Sequence, residues 1–195
     1  MAKRPGLTLE KLVDAALDMA QREGEGAVTL GALAKHFGVK PPSLYNHVKN
    51  LAELKKEIRL RGLQALHQRL QDACMGLAGP DALFALCMAY RTFGREQPAL
   101  YQMTLAATEE EGEALHLAGR KLLTLLFAVL QAYQLKDEDL IHATRCVRST
   151  LHGFVSLENS QGFAMPTDLD VSFTLLIQHL DNMLTHWKPT ATSEQ

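Results

Sequence analysis

Apolar residues recur along this chain at steps of three and four, and no stretch alternates apolar with polar residues in the β-branched manner of a strand, so the period is that of helices. Leu9, Leu12, Val13, Ala16 and Ala20 form one stripe and predict a helix over about 8–22, ended by Gly24 and Gly26. Further helices are predicted over about 30–37 and 41–47, and from Leu51, behind an Asn50 cap, to about Cys74. Gly76, Gly79 and Pro80 break the chain; Pro80-Asp81 opens a helix to Glu96, and Pro98 stops it before a short segment over 99–105. Thr108 and Glu111 have capping-box spacing for a long helix through Tyr133. Between Leu122 and Leu130 that helix is apolar on nearly every side, which predicts a central position, buried all round. Lys136-Asp137 starts the next helix, to about Ser160, and Thr167 with Asp170 is expected to cap the last, which ends near Trp187. The predicted fold is all-α, with about nine helices.

The stretch Thr29 to Asn50 carries the most specific chemistry. Leu33, Phe37, Val39 and Leu44 have the spacing that two crossed helices need, Ala34 is small where they would touch, and Gly38 can take the positive φ of a tight turn. Pro41 and Pro42 fall in the first turn of the next helix, where a missing N–H costs nothing, and Lys40 before them should be extended. Leu44 and Val48 point inward, leaving Ser43, Tyr45, Asn46 and His47 as a polar front sized for a major groove. Tyr45 and His47, two residues apart, face different flanks and suit phosphates; Ser43 and Asn46 suit base edges, Asn being able to pair bidentately with adenine. Thr29 either caps the helix that follows or turns its amides toward a phosphate. The plainer reading of all these side chains is solvated surface.

Leu33-Ala34 through Gly38-Val39, Pro42-Ser43-Leu44-Tyr45 and His47-Val48-Lys49-Asn50 together resemble the DNA-binding domain of the tetracycline-repressor (TetR) family over roughly residues 8 to 60. Leu151-His152-Gly153-Phe154, Gly162-Phe163 and the amphipathic helix from Asp168 resemble the C-terminal domain of one subgroup of that family. The resemblance implies an N-terminal helix-turn-helix domain of three helices, here residues 1–50, followed over 51–187 by a helical bundle that binds a small ligand and dimerises. It also implies a homodimeric regulator, usually a repressor, with Thr29, Lys40, Pro42, Ser43, Tyr45, Asn46, His47 and Lys49 at double-stranded DNA. Gly31 and Leu51 depart from the pattern, since relatives often carry a polar or basic residue and a phosphate-reaching Lys there. Those two contacts are not carried over. Lys49 and the amide end of the next helix, capped by Asn50 with Glu53 three residues on, are expected to serve the phosphate instead.

Charge sharpens this picture. Residues 1–69 hold 12 Lys/Arg against 7 Asp/Glu and residues 70–195 hold 8 against 15, so a basic head precedes an acidic body although the whole chain has a net charge of −2. Such a head docks phosphate by one end. The plainer reading of Lys55, Lys56, Arg59 and Arg61 is solvated helix charge. No apolar run approaches the roughly 20 residues that cross a bilayer, and Met1-Ala-Lys-Arg-Pro-Gly leads into no signal core, which predicts a cytoplasmic protein without a membrane partner. Cys74, Cys87 and Cys146 suit neither a disulfide framework nor a zinc site. His142, His152 and Glu158 share a helix at spacings of ten and six, which place no two ligands on one face. No nucleophile elbow, phosphate loop or metal constellation is present, so neither an enzyme nor a cofactor is expected. The alternative reading is a helical-bundle enzyme or interaction module with an accessory helix-turn-helix.

Two further sites are expected in the body. Met88, Tyr90, Arg91, Phe93, Tyr101 and Met103 mix thioethers, aromatics and one guanidinium, which suits a pocket for a small apolar effector as well as ordinary core. Val147, Leu151 and Phe154, with Phe173, Leu176, Ile177, Leu180 and Leu184, form stripes on the last two helices that are expected to pair with a second copy. Residues 188–195 show no pattern and are expected to be disordered.

Overall fold

The computed structural model describes residues 6–105 and 112–188, and it is all helical. Its α-helices are α1 (Leu9–Glu23), α2 (Leu30–Phe37), α3 (Leu51–Cys74), α4 (Gly79–Glu96), α5 (Pro98–Leu105), α6 (Glu113–Leu130), α7 (Asp137–Asn159) and α8 (Leu169–Thr185). With the 3₁₀ helix Pro41–Asn46 they make the nine that the pattern predicts, counted among the described residues; two further 3₁₀ turns, Glu25–Ala27 and Gln131–Tyr133, join elements. The capping box expected from Thr108 and Glu111 lies outside the described residues.

The chain divides into two compact units. One comprises residues 1–64 and 97–118, the other 65–96 and 119–195, so the unit that holds the helix-turn-helix runs past residue 50 and α3 belongs to both. In the first, α1 buries Leu12, Val13, Ala16 and Ala20, as its stripe requires, while α3 contributes Leu54 and Ile58 and α5 contributes Leu100 and Tyr101. Gly62 is where α3 meets α5: a Cβ there would fall 2.9 Å from Thr104 Cβ, with the hydroxyl closer still. The backbone approach therefore needs a residue without a side chain. The cations of α3 are largely spent inside this unit. Lys55 pairs with Glu25 at 2.7 Å, Arg61 with Asp14, and Arg59 donates to the Thr104 carbonyl at 3.2 Å.

In the second unit α7 buries Ala143, Val147, Leu151 and Val155 and α8 buries Phe173, Ile177, Leu180 and Leu184, both against α4. Two expectations are corrected here. The helix expected to be central, α6, keeps an open side: Leu123 is 38 % exposed and Thr124 and Ala128 are exposed, because only Leu126, Val129 and Leu130 of its last turns face the core. The cap of α8 is Asp168, which accepts from the Asp170 and Val171 amides at 2.7 and 3.4 Å. That leaves the Asp170 carboxylate for another task.

Candidate nucleic-acid interface

The presented surface is built from the turn outward. Thr29 caps α2 by accepting from the Ala32 amide at 3.1 Å. At the other end Gly38 lies in the left-handed region (φ 65°, ψ 33°) and Val39 donates back to Ala34 at 3.0 Å, closing the helix in a turn that a Cβ would strain. Lys40 is extended (φ −78°, ψ 144°), as a residue before proline must be. From Pro41 the chain winds as a 3₁₀ helix through Asn46 rather than as an α-helix through His47, a correction to the expected form; with three residues per turn, Leu44 alone of this segment is fully buried. Val48, bonded back to the Leu44 carbonyl at 3.1 Å, is the second anchor. Burying Leu44 and Val48 contributes about 1.5–3 kcal/mol each and fixes the segment against its scaffold.

With those two inside, Tyr45 stands 57 % exposed, Lys40, Pro42, Asn46 and Lys49 are exposed, and Ser43 and His47 are half-buried. The segment thus leaves every residue from Pro42 to Lys49 except the two anchors wholly or partly open to solvent, as is Lys40 before it. Exposed Lys35 and His36 end α2 next to the turn. The amide end of α3 does not stand open. Asn50 Oδ1 accepts from the Glu53 amide at 2.8 Å and the Glu53 carboxylate accepts from the Lys49 amide, so the capping box puts an acid where a phosphate was expected.

The six residues expected to form a pocket divide: Met88, Tyr90, Arg91 and Phe93 belong to the second unit, Tyr101 and Met103 to the first. All but Met88 are buried. Arg91 is committed, bound to Glu158 and Asp170, whose carboxylates push its already high pKa further up. A groove of about 430 Å³ lies elsewhere in the second unit, among Cys74, Leu77, Ala82, Leu125, Val129 and Ala132, and none of the expected residues lines it. Nothing in a linear stripe announces it, since the ends of three helices meet there. In the same unit, burial raises the pKa of the Cys87 thiol to about 12, and burial with a 2.6 Å bond to Asp181 pushes that of the Tyr133 hydroxyl well above the phenol range. Of the residues expected at a dimer face, Val147, Leu151, Phe154, Phe173, Ile177, Leu180 and Leu184 are buried within the protomer's own unit and Leu176 is half-buried. The outward side of α7 instead carries Ile141, Arg145, Arg148 and His152, and that of α8 carries Val171, Leu175, Gln178 and Asn182.

A chain with nine helices among its described residues, whose head is a helix-turn-helix with a polar, solvent-facing second segment, has the build of a helical DNA-binding regulator. Residues 83–180 match the family described as tetracyclin repressor-like, C-terminal domain. The HTH-type transcriptional regulator YobS of Bacillus subtilis is 34 % identical over 178 residues, 91 % of this chain and 93 % of that one. Rv0681 of Mycobacterium tuberculosis, another HTH-type transcriptional regulator, is 34 % identical over 92 % of this chain and 83 % of its own. Among solved structures, TetR from Acinetobacter baumannii AYE in complex with minocycline superposes with a TM-score of 0.71 at 19 % identity, covering 95 % of this chain and all of that one. The TetR-family regulator PfmR of Thermus thermophilus gives 0.66 at 17 %, over 96 % of this chain and all of that one. This chain belongs to the TetR family of DNA-binding transcriptional regulators.

Proposed function

We propose that the protein is a cytoplasmic repressor that binds a palindromic operator as a homodimer and is released by a small apolar effector. The observation that carries the DNA-binding half is the presentation of Tyr45, Asn46 and Lys49 around the buried Leu44–Val48 anchor. Tyr45, His47, Lys40 and Lys49 serve phosphates; Ser43 and Asn46 meet base edges; Pro42, in the first turn of the segment, touches the groove wall, and Thr29, already the cap of α2, aims the amides of that helix at the backbone. Assembly is supported by apolar residues that the protomer leaves about half exposed, Ile141 on α7 and Val171 and Leu175 on α8, which would join a four-helix interface with a second copy. The effector reading is supported by the groove, which among the described residues has the Cys74 thiol as its one ionisable lining side chain and therefore suits an uncharged molecule.

The test is footprinting on DNA from upstream of the protein's own coding region. Two heads related by a two-fold axis protect half-sites about 34–36 Å apart or a multiple of it. Tyr45→Ala weakens binding to every sequence and leaves the salt dependence nearly unchanged, since a neutral phenol displaces no counterion, whereas Asn46→Ala relaxes preference at one position in each half-site, worth about 1–3 kcal/mol. Sequence-blind protection, untouched by either change, is the result that refutes this reading.

A further inference from the structure

The second unit holds a charged cluster that neither DNA binding nor a groove employs. Arg91 of α4 is 3 % exposed, and its guanidinium forks onto Glu158 in the last turn of α7, Nε to Oε2 at 2.9 Å and Nη2 to Oε1 at 2.6 Å. The same Nη2 reaches Asp170 Oδ1 in the first turn of α8 at 2.8 Å. The rings of Phe154 and Phe173 flank the guanidinium, with centroids 5.4 and 4.8 Å from its carbon. Arg95, one turn on and half exposed, lies 3.6 Å from Asp170 and 4.0 Å from Glu158.

The two acids hold α4 in unequal ways. Glu158 is 12 % exposed and bidentate, and the neighbouring Asn159 adds an uncharged bond from Nδ2 to the Gly94 carbonyl at 3.0 Å. Asp170 is 74 % exposed, offers one oxygen, and already stands mostly in water. Withdrawing Asp170 leaves Arg91 neutralised by Glu158 and still between its two rings, so the loss is that of a surface ion pair. Withdrawing Glu158 strips a buried guanidinium of its bidentate partner, which is far costlier. The first turn of α8 also keeps its own cap, Asp168, whether or not Asp170 is bound.

We infer that this junction is a two-tier latch: Glu158 anchors α7 on Arg91 permanently, while Asp170 holds the start of α8 releasably, so that α8 is the part that moves. Phe173 remains as the apolar pivot, and the helix end swings as a capped turn instead of unravelling. Val171 and Leu175 sit on this same stretch, so the latch sets the surface that α8 offers to a second copy. That consequence rests on the homodimer proposed above; the latch itself does not.

Hydrogen exchange on the full-length protein tests it. Asp170→Asn should speed exchange over residues 169–175 about tenfold, leave 151–159 unchanged and barely move Tm, while Asp170→Glu restores the slow exchange. Raised ionic strength should mimic Asp170→Asn, because the exposed tier is screened more than the buried one. Glu158→Gln should loosen both segments and lower Tm. If Asp170→Asn leaves 169–175 as slow as in the parent, or loosens 151–159 equally, there is no releasable tier and the inference is wrong. If exchange responds as stated but sedimentation and operator affinity do not, the latch stands and assembly through α8 falls.

Discussion

Gly62 shows how one residue governs the packing of two helices. Any side chain there must displace Thr104, whose hydroxyl is itself donated to the Leu100 carbonyl at 2.6 Å, or push α5 away from α3. Gly62→Ala should therefore destabilise the protein by about 1–3 kcal/mol, against the small gain that Gly→Ala brings at an open helical site. Thr104→Ala in the same chain should recover part of the loss, because it removes the nearest atom. Urea denaturation of the two single variants and the double variant reads the coupling; strictly additive values would show that the clash is relieved elsewhere. Residue identity alone could not flag this glycine, since Gly62 sits inside a helix whose pattern it does not interrupt.

Elements carry the second kind of dependence. The start of α3 rests on a reciprocal cap, Asn50 to the Glu53 amide and Glu53 to the Lys49 amide, and both halves follow from residues close together in the sequence. Asn50→Ala should cost about 1 kcal/mol and raise exchange in the first turn of α3, with Asn50→Asp nearly neutral. Melting curves check the first value, and equal stability of Asn50→Ala and the parent would mean that the cap is dispensable. If the amide end of α3 were instead a phosphate site, Glu53→Gln would strengthen DNA binding. The segment after the turn behaves likewise: its inward anchors are legible from Leu44 and Val48, but its winding as a 3₁₀ helix depends on how Lys40 and His47 bond at its ends, which no periodicity encodes.

At the scale of the molecule the question is which apolar residues the protomer has already used. Leu180 is 5 % exposed and belongs to its own core, so Leu180→Glu should unfold the chain, whereas Leu175, 49 % exposed on the opposite side of α8, is free to meet a partner. Leu175→Glu should give a folded monomer by sedimentation, with the far-ultraviolet circular dichroism and Tm close to the parent. Operator affinity should then fall by about 100-fold or more, because two linked heads no longer bind as one. A Leu175→Glu protein that remains dimeric would place the interface elsewhere.

Local chemistry decided what the sequence alone could show. Helical period, the caps at Thr29 and Asn50, the left-handed Gly38 and the extended Lys40 all depend on neighbours within about four residues, and they place α1 through α3 and the polar front of the segment after the turn. The inward and outward sides of α6, α7 and α8 depend on partners far along the chain. A stripe of Leu and Phe reads the same whether it faces α4 or a second copy, and an arginine among aromatics reads as a pocket until Glu158, 67 residues away, is brought to it. Those assignments rest on long-range burial and ion pairing, which appear only once the helices are packed.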